Sequence, residues 1–259
     1  MDLSIKIMNK KNTVANILKF QTDETSDYWR DKLFDMYTFL DKEKSAKMPW
    51  EKRKQYLSSE LSLYYDKVKS VLQNKRIESQ KIWSENKNAI NMIYSKVFGI
   101  DCYHILNNMV AEISLNPICP RNLKHNNFTF FYGGDSNNFM KTALHEMIHF
   151  VWFYVWQQYF ADKPAEYEAP HMKWILSEMV VESVMKDERL SSINPYFPRE
   201  NGGCIYPYFF DMVVDGKPIL DTLDAMYMRH SIEEFMRNSY AYCKEHEVAI
   251  REHIQRSEG

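Results

Sequence analysis

Glycine and proline are scarce in this chain, 7 and 9 among 259 residues. That shortage excludes collagen-like and linker-rich chains and favours helices, whose interiors tolerate neither residue. Cysteine is nearly as rare: Cys102, Cys119, Cys204 and Cys243 lie far apart, with no CxxC pair among them. A disulfide scaffold and a thiolate zinc site are thereby excluded, and the four read as reduced thiols. An excess of charge of one sign is also missing, since 33 basic residues face 35 acidic ones and the net charge is -2. No electrostatic case for nucleic acid or an anionic membrane follows, and neither is expected as a partner. Long apolar runs are absent too. The opening "MDLSIKIMNKKNTV" holds no apolar segment of signal-peptide length, and "FVWFYVWQQYF" (150–160) is too short to span a bilayer, so a cytoplasmic protein is expected. No internal repeat or low-complexity tract is found.

What remains is 45% hydrophobic and 15% aromatic, ample for a buried core in a chain of this length. Residues 22–98 read as helical, with Leu57, Leu61, Tyr64, Val68 and Leu72 recurring at spacings of three and four and Pro49 interrupting early. After Gly99 the texture changes. "AEISLNP" (111–117) and "NFTFFYGG" (127–134) read as strands, connected by "CPRNLKHN". Asp135, Ser136 and Asn137 offer caps for a helix over about 138–160, and a loop over 161–170 leads to another helix ending near Lys186. The stretch 194–210 is irregular and aromatic, and a last helical stretch runs from about Pro218 to His253. The expectation is a mainly α, α+β fold with a small antiparallel sheet. A helical region over 1–110 is expected to be continuous with a catalytic region over 111–259.

The run "TALHEMIHFVW" (142–152) raises the chemical question, because it sets His145, Glu146 and His149 among apolar residues. Polar groups of this kind are seldom buried without a partner. Positions i and i+4 share a helix face, so both imidazoles can reach one ion while Glu146 stands beside them. Zinc suits such a site, with Glu146 as general base towards a metal-activated water. Hydrogen-bonded core histidines are the plainer alternative. A longer H-E-x-x-H-x-x-G-x-x-H motif is excluded, since Trp152 and Val155 occupy the glycine and last histidine positions. The third ligand must come from elsewhere. In "PHMKWILSEMVVESVM" (170–185), His171, Ile175, Glu178 and Glu182 share a face, and the valines around them mark a buried helix. Glu178 is the expected third ligand. Glu182, one turn later, is expected to orient a ligand histidine, with the two acids' roles exchangeable. His171 is a further candidate beside them.

"HEMIH" followed by "WILSEMVVE" resembles the gluzincin zinc peptidases, the thermolysin-like and aminopeptidase-like group, over residues 127–186. It is also similar to an uncharacterised bacterial family of predicted zinc-dependent proteases. The resemblance implies a zincin-like fold, one Zn2+ per chain, a third ligand on the second helix, and a peptide or protein substrate. It further implies an edge strand before the active-site helix that holds the substrate backbone. "NFTFFYGG" takes that place, making Phe130, Tyr132 and Gly133 substrate-binding candidates. A histidine or tyrosine is implied as donor to the oxyanion, with His230 as the catalytic candidate and Tyr206, Tyr208 and Tyr227 as others. The expected activity is hydrolysis of peptide bonds. The other class of function left open is a non-catalytic zinc-binding or partner-binding protein on the same scaffold.

Overall fold

Alternation sets the first element. Leu3 and Ile5 are buried while Ser4 and Lys6 are exposed, which makes Leu3–Ile7 a strand, β1, with one covered face. In this computed structural model residues 3–160, 164–195 and 198–258 are described. They form two compact units, one of Leu3–Ser84 and Met109–Phe139, the other of Glu85–Asn108 and Met140–Ser257. The expected division at 110/111 is therefore replaced. Each unit draws on both halves of the chain, because strands at the amino end and in the middle pair with each other.

The first unit continues with helices α1 (Lys10–Leu18), α2 (Asp27–Met36), α3 (Lys42–Ala46), α4 (Trp50–Lys67) and the start of α5 (Lys69–Phe98). The expected helical stretch over 22–98 is thus broken into four helices. Pro49 stands as N-cap of α4, whose Leu57, Leu61 and Tyr65 form the buried stripe. After α6 (Tyr103–Leu106) come β2 (Met109–Ser114), β3 (Arg121–Asn122) and β4 (Asn127–Phe131). The strand order is β1-β2-β4-β3. β1 and β2 pair in parallel, as do β2 and β4, and only β3 runs antiparallel to β4. The sheet is mixed, and the expectation of an antiparallel sheet is corrected. Asn126 supplies the reason: at φ 51° it turns the chain between β3 and β4. That hairpin falls inside what read as a simple connection, and it leaves β2 and β4 pointing the same way.

Helix α7 (Ser136–Tyr159) starts where Asp135 accepts a hydrogen bond of 3.1 Å from the backbone N–H of Asn138. Gly134 precedes it at φ 80°, where a Cβ would meet the Asn138 side chain.

In the second unit, α7 from Met140 on is apolar on nearly every side. Leu144, Met147, Ile148, Val151, Trp152 and Val155 are all fully buried, so this helix is central rather than amphipathic. Helix α8 (Met172–Met185) is equally enclosed, and every residue of it except Trp174 is buried. Around them lie α9 (Glu188–Ser191), a two-stranded antiparallel ribbon of β5 (Val213–Val214) and β6 (Lys217–Pro218), and α10 (Ile219–Tyr227), α11 (Ile232–Glu245) and α12 (Glu247–Glu258). The last three replace the single stretch expected from Pro218. Trp152 meets Phe235 and Trp156 meets Tyr240, which packs α7 on α11, and α8 packs on α10 and α11. Of the loop expected over 161–170, residues 161–163 lie outside the described residues, as do 196 and 197 of the aromatic stretch. The molecule is mainly helical with a small mixed sheet. Among the described residues no helix is long and apolar enough to cross a membrane.

Candidate metal centre

Two central helices that are apolar almost all round leave few places for polar side chains, and four of those present meet. His145 and His149, one turn apart on α7, direct Nε2 atoms to within 3.1 Å of each other. From α8, Glu178 places Oε2 at 3.4 Å from the first and 3.5 Å from the second. His149 and Glu178 are fully buried, and the His145 side chain is 16% exposed. Glu146 is buried beside them, with Oε1 4.0 Å from Nε2 of His145. The ligating atoms of His145, Glu146 and His149 all lie within 4.8 Å of one another.

This triangle can be tested against zinc. At a bond length of about 2.05 Å a tetrahedral zinc spaces its ligand atoms about 3.3 Å apart. The Nε2–Nε2 separation of 3.1 Å and the two nitrogen–oxygen separations of 3.4 and 3.5 Å lie around that value. Two imidazoles and a carboxylate also match the metal's preference for nitrogen and oxygen donors. The residues fit the ion.

Tautomer is fixed by the backbone. Nδ1 of His145 lies 2.8 Å from the carbonyl oxygen of Cys204, so the ring donates from Nδ1 and leaves the Nε2 lone pair facing the cluster. Burial alone pulls the His145 pKa down. The Glu178 hydrogen bond, the charges of Glu146 and Glu178, and the Cys204 carbonyl together outweigh it and raise the imidazole above its ordinary value.

Other expected residues are placed differently. Glu182 is fully buried but accepts hydrogen bonds from the Arg199 guanidinium, from Nη2 at 2.6 Å and from Nε at 2.9 and 3.3 Å, and pairs with Lys186 at 2.8 Å. The histidine-orienting role expected of Glu182 is corrected: at His145 that acceptor is the Cys204 carbonyl. His171 is the exposed N-cap residue of α8, nearly two turns before Glu178, and does not join the cluster. His230 lies exposed between α10 and α11, 3.9 Å from Glu234, and lines a separate cavity of about 240 Å³ with Asp187, Arg189 and Tyr227. It is not brought to the triangle. Tyr227 donates to Asp187 at 3.0 Å. Tyr206 is half-buried, follows Cys204 by two residues and approaches Trp174, one turn before Glu178, with ring centres 6.2 Å apart. Tyr208 is buried and stacks on Tyr206.

Phe130, Tyr132 and Gly133 belong to the sheet-bearing unit. Phe130 is buried against Phe139, and the Tyr132 hydroxyl meets that of Tyr64 at 2.8 Å. β4 is not the outermost strand, since β3 flanks it at Asn127 and Phe128; the edge position expected of it is corrected to that extent. Sequence reasoning missed Cys204 and Arg199. A carbonyl has no side-chain signature, and a lone arginine in an irregular stretch carries no period. Comparison with protein-family models, curated proteins and solved structures finds no match.

Proposed function

We propose that the chain is a zinc-dependent peptidase in which His145, His149 and Glu178 hold one Zn2+ and Glu146 is the general base. The observation that carries this reading is the triangle of two Nε2 atoms and one carboxylate oxygen, whose sides match a face of a zinc tetrahedron. Such an ion lowers the pKa of a water in its open position and polarises a carbonyl.

The chain's own groups supply the rest. Glu146 is within reach of the cluster and is not needed to complete the triangle; in this reading its carboxylate accepts a proton and later passes it to a leaving amine. Its burial keeps the proton transfer shielded from bulk solvent. A purely structural site has no use for this extra acid, which favours catalysis over the scaffold reading. Tyr206 is the donor candidate nearest in sequence to Cys204 and the one beside the α8 wall, and it takes the oxyanion role in place of His230. The zincin-like resemblance, a peptide or protein substrate and a cytoplasmic setting belong to the same proposal. Four cysteines, all free, suit a reducing compartment.

The test is cleavage of a denatured-proteome peptide mixture, mapped by mass spectrometry. Hydrolysis that a chelator abolishes and added zinc restores is expected. A zinc-loaded protein that leaves every peptide intact contradicts the catalytic reading.

A further inference from the structure

The turn between α9 and β5 touches both metal-bearing helices within six residues. At one end Arg199 lays its guanidinium on Glu182 of α8, through Nη2 at 2.6 Å and Nε at 2.9 Å to the same carboxylate oxygen. At the other end the Cys204 carbonyl receives the Nδ1–H of His145 on α7 at 2.8 Å. Between them the chain closes on itself. Gly203 N–H donates to the Pro198 carbonyl at 2.9 Å and Gly202 N–H to that of Arg199 at 3.1 Å. Gly202 at φ 92° and Gly203 at φ 60° adopt left-handed backbone that side chains resist, and a Cβ on Gly203 would strike the Phe210 ring. Lys141, one turn before His145, adds a contact of 3.5 Å to the Gly203 carbonyl.

From this we infer that Arg199 is a positioning residue for the metal centre, acting through the 199–204 turn on His145. Glu182 is fully buried, so breaking the pair would leave an uncompensated charge in the interior, and two guanidinium N–H groups converge on one of its oxygens. Its carboxylate sits one helical turn beyond Glu178 on the same face of α8. The pair therefore ties the turn to the helix that carries the third ligand. Arg199 reaches Asp221 of α10 at 3.4 Å, and Lys186 joins Glu182 to Asp224 at 2.7 Å, which fixes the latch to a third helix. With the turn so held, its carbonyl is aimed at Nδ1. His145 then keeps both its tautomer and its ring angle, which is what a metal-binding histidine requires of its outer partner.

The inference rests on the zinc reading, and its test separates the two. Zinc affinity is measured by competition with a chromophoric chelator on the full chain and on Arg199→Met and Arg199→Lys. Visible absorption of the cobalt-substituted proteins and thermal unfolding of the metal-free forms are read alongside. The expected result is a loss of about ten-fold or more in zinc affinity for Arg199→Met, with an altered cobalt spectrum. Arg199→Lys, which keeps the charge but not the fork, should recover part of it. The double variant Glu182→Gln, Arg199→Gln removes both charges of the pair and serves if the single change unfolds the chain; it should show the same weakened affinity. If the parent binds no zinc, the metal reading itself is wrong. If the parent binds zinc and folded variants bind it as tightly with an unchanged cobalt spectrum, Arg199 is structural only and the inference is overturned.

Discussion

The backbone carbonyl of Cys204 accepts a hydrogen bond from Nδ1 of His145 at 2.8 Å, and that contact decides which ring nitrogen faces Glu178. A side-chain acceptor can be removed by mutation, whereas a carbonyl can only be moved. The orientation of His145 thus depends on how the 199–204 turn is held, and substitution at Cys204 itself is expected to matter little. Cys204→Ala should keep zinc binding within about three-fold, because the carbonyl remains; its buried thiol, pushed up to about 12 by desolvation, is no ligand in waiting. Chelator competition measures this.

Removing a ligand should remove the ion. Glu178→Ala is expected to lower zinc content of the purified protein from about one per chain to near none, as measured by elemental analysis. Full retention of zinc by that variant would assign the third position to another group.

Glu146→Gln separates binding from chemistry. Zinc content should stay at the parent's value while peptide hydrolysis falls by about 10²- to 10⁴-fold, the usual contribution of a general base. A variant as active as the parent would remove Glu146 from the mechanism.

Asp187 supplies a pH signature away from the metal. Its pKa is lowered, first by the Arg189 hydrogen bond and then by the Arg189 backbone N–H it caps and by the Tyr227 hydroxyl, against the opposing effect of burial. A carboxylate whose folded pKa is depressed contributes stability above its unfolded value and loses it as pH falls through the folded one. Asp187→Asn keeps a capping side chain but loses the charge, so it should cost about 0.5–1 kcal/mol near neutrality, the usual worth of a part-exposed ion pair. The difference from the parent should shrink below the ordinary carboxylate range. Urea unfolding at several pH values reads it out, and a difference that is constant with pH would contradict this role.

Much of this molecule is legible from periodicity. His145 and His149 at i and i+4, and Glu178 on the covered face of an apolar run, both follow from the 3.6-residue helical repeat, and α7 and α8 lie within two residues of where that repeat sets them. Features that depend on distant pairing are harder. β1 offers only five alternating residues, too short to separate from a helix start, and its partner lies more than a hundred positions away. The parallel course of β2 and β4 hangs on Asn126 adopting a left-handed turn, which asparagine permits but does not announce. Glu182 shares its helix face with Glu178, and no spacing rule tells an acid that joins the histidine pair from the partner of an arginine seventeen residues later.

The most direct test of the central claim is X-ray absorption at the zinc edge on the purified, zinc-loaded protein. The account predicts a first shell of nitrogen and oxygen at about 2.0–2.1 Å, with imidazole scattering from two histidines and one carboxylate, and loss of that carboxylate in any zinc retained by Glu178→Ala. A sulfur shell near 2.3 Å, or a spectrum unchanged by that substitution, would contradict it.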